Sequence, residues 1–249
     1  MAFTASTWGQ GRLLTGLSPG SSLSGITAVI TKANLPTSAL DTGSLSCLNG
    51  GGDWRFSTDI NGATQLPCEI VTCVTNASAG NTEFVAWVRF PTYSSSARSV
   101  YAFWNKAGQS QPLPGAAFGR NAVWVDFEDV RHGHSLVDSA GNNANLTTVG
   151  SATFGGAGFN GGKVFDGDRT EGFTVTGGSN SGSVAFNGWI NFNSFVSGSP
   201  DSNQRATGYY SATENNGVIN SITQAKKVAT YTFSGSDAAT ASSATTLTA

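Results

Sequence analysis

The chain has 249 residues, with 13 Lys and Arg against 15 Asp and Glu and a net charge of −2 at pH 7. Charged side chains make up 11% of it, against roughly 25% in ordinary soluble domains, and glycine reaches 32 residues. This balance excludes nucleic acid as an electrostatic partner, which would demand a basic stripe. No apolar run approaches the ~20 residues that span a bilayer, so membrane insertion is excluded as well. Hydroxyls and amides supply most of the polar side chains, and they suit strands and turns better than exposed helices.

Residues 1–19 form an N-terminal arm. Its Arg12 follows an apolar start and no apolar core comes after, which is not the pattern of a secretory signal. Trp8 in "ASTWGQGRLLTG" lies among Gly, Ser and Thr. It is a candidate binding residue, for a neighbouring subunit or a sugar ring.

A first β-sandwich is expected over 20–110. "GITAVITKANLP" (25–36) alternates Ile26, Ala28 and Ile30 and stops at proline. "DWRFSTDINGATQLPCEI" (53–70) reads as two strands around Asn61-Gly62, for which a type I′ turn is expected. "EFVAWVRFP" (83–91) places Phe84, Ala86, Val88 and Phe90 on one face and Val85, Trp87 and Arg89 on the other. "SVYAFWN" (99–105) alternates likewise. Strands apolar on both faces belong in the middle of a sheet covered on two sides. Trp54 and Trp104 join Trp8 as candidate binding platforms, because apolar sugar faces stack on indole. Cys47, Cys68 and Cys73 are odd in number and read as reduced, buried thiols, with a bridge from Cys47 to one of the others left open.

Residues 111–121, rich in Pro, Gly and Gln, read as a linker to a second sandwich over 122–233. Its first strand is "AVWVDFEDV" (122–130). The densest polar cluster follows in "DFEDVRHGHSLVDSAGNNAN" (126–145). Asp126 and Glu128 would share a strand face, a permissive arrangement for glycoside hydrolysis and nothing more. His132, His134 and Asp138 are the candidate metal ligands, and calcium on Asp138, Asp166 or Asp168 is the alternative. The competing reading of "DSAGNNAN" is a turn held by its own Asp and Asn side chains. No cofactor is expected. "GGAGFNGG" (155–162) lacks the Lys-Ser/Thr ending of a phosphate loop. "SATENNGVINSITQAKKVATYTF" (211–233) favours a hairpin, and 234–249 is a low-complexity tail.

In the order "NLP" (34–36), "DWRFSTDINGATQLPCEI", "VAWVRFP" (85–91), "VYAFWNKAGQSQP" (100–112), "AVWVDFEDV", "DSAGNNANLT" (138–147) and "GGKVFDGD" (161–168), the chain resembles a domain-of-unknown-function family. That family precedes concanavalin A-like (LamG) lectin domains in bacteriophage tail and virion proteins and in bacterial surface proteins. "SVAFNGWINFNS" (183–194) is similar to a later LamG strand. The resemblance implies an all-β chain of two tandem β-sandwiches, the second shortened. It implies a non-enzymatic, oligomeric structural protein of a virion: tail fibre, tail tip or head-surface decoration. Such a protein assembles in the host cytoplasm with copies of itself and other virion proteins, and meets host-surface glycan. The alternatives are a bacterial cell-surface lectin-like adhesin and, below it, a polysaccharide-cleaving enzyme.

Overall fold

The computed structural model describes residues 3–14, 22–93, 99–132 and 135–151, and the strand segments 153–155, 164–166, 172–174, 204–211, 216–222, 227–234 and 237–246. His134, Asp168, the glycine loop 156–163 and the stretch 183–194 lie outside them. The fold is strands in antiparallel sheets with little helix, as an all-β reading expects. The chain divides into two compact units, Met1–Gly178 and Ser179–Ala249.

In the first unit, strands β1 (Gln10–Leu13), β2 (Leu23–Thr31), β3 (Arg55–Ser57), β4 (Gln65–Leu66), β5 (Cys68–Val74), β6 (Glu83–Tyr93) and β7 (Tyr101–Trp104) form two sheets. One sheet has the order β2-β6-β5 and the other β1-β7-β3-β4. The period-2 pattern sets β6 in the centre of its sheet. Phe84, Ala86, Val88 and Phe90 are all buried on the inner face, opposite Ile30 and Ile26 of β2 and Cys68 and Ile70 of β5. The second sheet contributes Phe56, Leu66, Ala102 and Trp104 to the same cluster. Trp54 joins the two layers, its ring 4.8 Å from Phe84 and 5.0 Å from Trp104. Burial of each such aromatic contributes about 1.5–3 kcal/mol.

The Asp53-Trp54-Arg55-Phe56 stretch divides its labour by strand parity. Trp54 and Phe56 fill the core, and Arg55 points to the opposite face. There its guanidinium donates to the carbonyls of Gly52 (3.0 Å), Trp54 (2.7 Å) and Ser110 (2.8 Å). Asp53 is completely buried. Its Oδ2 accepts backbone N–H groups from Leu48 (2.9 Å), Asn105 (2.7 Å) and Lys106 (3.1 Å), so one carboxylate ties the approach to β3 to the exit of β7.

The β3–β4 connection differs from the expected two-residue turn. Phe56 pairs with Leu66 and Ser57 with Gln65, which leaves residues 58–64 as the loop. Asp59 accounts for the difference. Its Oδ1 accepts the N–H of Asn61 (2.8 Å) and its carbonyl that of Gly62 (3.0 Å), centring the turn on Ile60-Asn61. Only Gly62 takes positive φ (+80°), and a Cβ there would stand 2.7 Å from the Phe3 ring.

Residues 122–130 form no strand. Arg120–Val123 is a single helical turn, α1, and Phe127 N–H closes a further turn on the Trp124 carbonyl. The segment 111–121 is fastened to the first sheet: Gln111 exchanges hydrogen bonds with Ile70, and Cys68 N–H reaches the Phe118 carbonyl. The expected linker thus falls inside the first compact unit. Val123, Trp124 and Ala140 make a second small core against Trp87, on the outer face of β6. Trp87 faces outward as its strand parity requires, and α1 with its following turns is what covers it.

Downstream, β8 (Thr147–Val149) pairs with β11 (Gly172–Thr174) outside the ladder of β9 (Thr153–Gly155) with β10 (Val164–Asp166). In the second unit, β12 (Gln204–Ser211), β13 (Asn216–Ile222), β14 (Lys227–Ser234) and β15 (Asp237–Thr246) form an antiparallel meander. Gly217 lies opposite Phe233, as the hairpin reading of 211–233 expects. The stretch read as a low-complexity tail holds β15. Ladder bonds are made by the backbone, so Ala, Ser and Thr suffice to extend a sheet.

Replacing Asp53 by Ala removes the shared acceptor of three part-buried N–H groups. Asp53→Ala therefore lowers unfolding free energy by on the order of 3–5 kcal/mol. Urea denaturation followed by tryptophan fluorescence measures it; a change below about 1 kcal/mol would mean the carboxylate does not hold these loops together.

Candidate functional site

A groove of about 510 Å3 lies on the outer face of the β1-β7-β3-β4 sheet. Strand parity builds it. Trp104 and Ala102 face the core, so Tyr101 and Phe103 face out, opposite Leu13 and Gly11 of β1. Glycine is required at 11, because a Cβ there would stand 2.9 Å from the Phe103 ring. The N-terminal arm closes one side: Phe3 packs 4.7 Å from Trp8 and 5.0 Å from Phe103. Trp8 is anchored by its Nε1, which donates to the Asp53 carbonyl at 2.8 Å. The Lys106 ammonium sits 4.0 Å from the Trp8 ring centre and donates to Thr7 Oγ1 at 2.7 Å. Gln10 and Arg12 supply polar groups to the lining, and the exposed Leu13 and Ile60 apolar ones.

Of the three tryptophans expected as binding platforms, Trp8 alone lines this groove. Trp54 and Trp104 are 0% and 2% exposed. They stack on each other in the core, and Trp104 Nε1 donates to the Leu45 carbonyl at 2.7 Å. Their strand positions send them inward, so neither can meet a sugar in the folded chain.

The described metal candidates, His132 and Asp138, each serve other partners. Asp138, almost fully buried, has both oxygens engaged by backbone. Oδ1 accepts the N–H groups of Val130 and Ala140 (both 3.0 Å), and Oδ2 those of Asn142 and Asn143 (both 2.9 Å). "DSAGNNAN" is thus the side-chain-held turn. His132 Nε2 lies 2.9 Å from Glu69 Oε2. His134 lies outside the described residues, among which no cluster of three or more metal-ligating side chains forms. Asp126 and Glu128 are exposed; Asp126 pairs with Arg89 at 2.6 Å.

Glu69 is the hub that sequence reading missed. On the outer face of β5, opposite Trp87, it is nevertheless buried because α1 and the Asp138 turn cover that face. Oε2 accepts the Trp124 indole N–H at 2.6 Å as well as facing His132, and Oε1 accepts the Ser139 hydroxyl at 2.6 Å. Burial pushes this carboxyl up, but the His132 hydrogen bond and charge, with Ser139 and Trp124, outweigh it and hold the carboxyl below the ordinary value. Ser, His and Glu meet here in the wrong order for nucleophilic catalysis: serine and histidine both bind the glutamate, so the hydroxyl proton points to a carboxylate and not to the imidazole.

No protein-family model, curated protein or solved structure matches the chain.

The sequence signal for Glu69 was a carboxylate between two core residues, Cys68 and Ile70, on a strand whose neighbour carries tryptophan at the opposing position. Recognising its burial needed the covering turns, which no periodicity announces.

Because its folded pKa is depressed, Glu69 contributes stability that is complete above the ordinary value of 4.5 and is lost as pH falls through the lower folded value. Stability should therefore decline with acid below 4.5. Glu69→Gln should flatten that slope and lower stability at pH 7 by about 2–4 kcal/mol. Equilibrium unfolding across the acid range, wild type against variant, measures both; parallel profiles would exclude the hub.

Proposed function

We propose that this chain is a non-enzymatic structural component of a bacteriophage particle. It forms two tandem β-sandwiches, the second shortened, assembles with copies of itself in a tail fibre, tail tip or head-surface decoration, and touches host-surface carbohydrate through the Trp8 groove. The observation that carries the reading is the composition of that groove. Its lining offers indole, phenol, amide and guanidinium groups and contains no carboxylate or histidine among the described residues. Glycoside cleavage by the usual acid–base route requires two carboxylates flanking the scissile bond. A concave surface with aromatic walls and donors at its edge is instead suited to hold a saccharide without cutting it.

The motif order from 34 to 168 and the hydroxyl- and amide-rich composition support the virion assignment. Assembly in the host cytoplasm agrees with three free thiols.

Two measurements test the two parts. Mass spectrometry of purified particles should find the polypeptide in stoichiometric amount, and its consistent absence would refute the structural role. Titration of the chain with host-surface saccharides should give saturable quenching of tryptophan fluorescence. Arg12→Ala should weaken that binding about tenfold, by loss of one charged hydrogen bond. Binding indifferent to Arg12 and Trp8 would move the contact elsewhere, and release of reducing ends would overturn the non-enzymatic reading.

A further inference from the structure

Cys47 and Cys73, 26 positions apart in sequence, bring their Sγ atoms to 3.4 Å. Cys47 is buried in the loop that precedes Asp53; Cys73 is partly exposed near the end of β5. Gly51, φ +89°, lies against the pair, and a Cβ there would stand 2.7 Å from Cys73 Cβ and 3.1 Å from its Sγ. Without that Cβ the Cys73 side chain can lie against the loop. Neither thiol belongs to the groove, and no other part of the described fold uses their proximity.

We propose that Cys47 and Cys73 form a reversible redox clasp: a peroxide-class oxidant converts the thiol pair to a disulfide that staples the 44–53 loop to β5. A disulfide bond of about 2.05 Å needs roughly 1.4 Å of joint movement from the observed separation, within the reach of small χ1 adjustments. The third thiol is a built-in contrast. Cys68 is fully enclosed, and burial pushes its pKa up to about 12 despite the nearby Arg55 guanidinium.

The shared hydrogen bond acts in opposite directions on the two partners. The Cys73 hydrogen bond lowers Cys47 against the opposing effect of burial. The same thiol–thiol hydrogen bond and burial raise Cys73. One thiol of the pair attacks as its thiolate. Its sulfur displaces hydroxide from the peroxide O–O bond and becomes a sulfenic acid. The second thiol of the pair then attacks that sulfur, the S–S bond forms, and the sulfenic oxygen leaves as water with that thiol's proton. Two thiol sulfurs are oxidised, and one peroxide is reduced to water and hydroxide.

The consequence is local. Ser44 and Ser46 carbonyls hold the Asn105 amide, and Leu48 N–H holds Asp53, so the clasp fixes the segment that frames the Asp53 carboxylate.

The test uses the full chain treated with dilute hydrogen peroxide and then mapped by mass spectrometry without reduction. The expected result is loss of two hydrogen atoms, a Cys47–Cys73 cross-linked peptide, one reactive thiol remaining of three on denaturation, and a higher unfolding temperature reversed by a thiol reductant. In Cys73→Ser, a sulfenic-acid probe should label Cys47, whereas Cys68→Ser should leave the clasp intact. Cross-links through Cys68, intermolecular dimers alone, or over-oxidation with no internal bond would overturn the proposal. Because the mapping is read on the unsubstituted chain, a variant that fails to fold does not weaken the test.

Discussion

One buried carboxylate organises the end of the first unit where its loops meet. Asp53 Oδ2 gathers N–H groups from Leu48, Asn105 and Lys106, two segments that share no ladder. Charge-assisted bonds of this kind are about twice as strong as neutral ones, and the carboxylate that accepts them is fully buried. The Asp53 carbonyl holds the Trp8 indole, and the Lys106 whose N–H binds Oδ2 places its ammonium over the Trp8 ring. The groove thus depends on a residue that never lines it. Asp53 Oδ1 is buried without a hydrogen-bond partner, the cost of placing all three donors on one oxygen.

The same device recurs twice. Asp138 collects four backbone N–H groups, and Glu69 collects a hydroxyl and an indole and faces an imidazole. The Asp138 bonds stand in for a hydrogen-bonding ladder in a segment with no regular structure, where buried N–H groups would otherwise be orphaned. Glu69 does the same for side chains, pinning the covering turns to β5. This explains why a chain so poor in charge has carboxylates inside. It also explains why the 126–145 stretch looks like chemistry in the sequence. Its described acidic and imidazole groups are divided between the surface, the Asp138 turn and the Glu69 hub, and they do not meet in a cleft.

Much of the first unit was legible because strand parity is a strong signal. Alternation in 25–36, 83–91 and 99–105 pointed to β2, β6 and β7; two apolar faces correctly placed β6 and β7 inside their sheets, whereas β2, expected there too, stands at the end of the β2-β6-β5 order. The same parity, applied to Trp54 and Trp104, points inward. Treating them as surface platforms put residue type ahead of position. Residues 122–130 failed for a different reason. Alternating Val123, Val125 and Phe127 suits a strand, but Trp124 finds its partners in Glu69 and Trp87, and that long-range contact selects a helical turn over extension. Asn61-Gly62 failed because Asp59 offers a competing acceptor within three residues. The Glu69 hub and the groove join segments separated by dozens of positions, which hid them from the sequence; a Cys47 bridge was left open there, and the same separation hid which cysteine Cys47 meets.

The groove's own electrostatics narrow what it can hold. Among the described residues its lining carries a single formal charge, that of Arg12, and the nearby Lys106 adds another positive charge behind Trp8. A cationic ligand would be repelled, while a neutral or acidic one would find donors and an aromatic wall. Lys106 and, farther off, the Arg55 guanidinium lie over the indole, Phe3 packs 4.7 Å from it and Asp53 holds its N–H, so a ligand meets only what these leave of Trp8, together with Tyr101 and Leu13. Affinity from such a partial platform is modest at one site. An assembly that repeats the site raises it by effective concentration without any new contact.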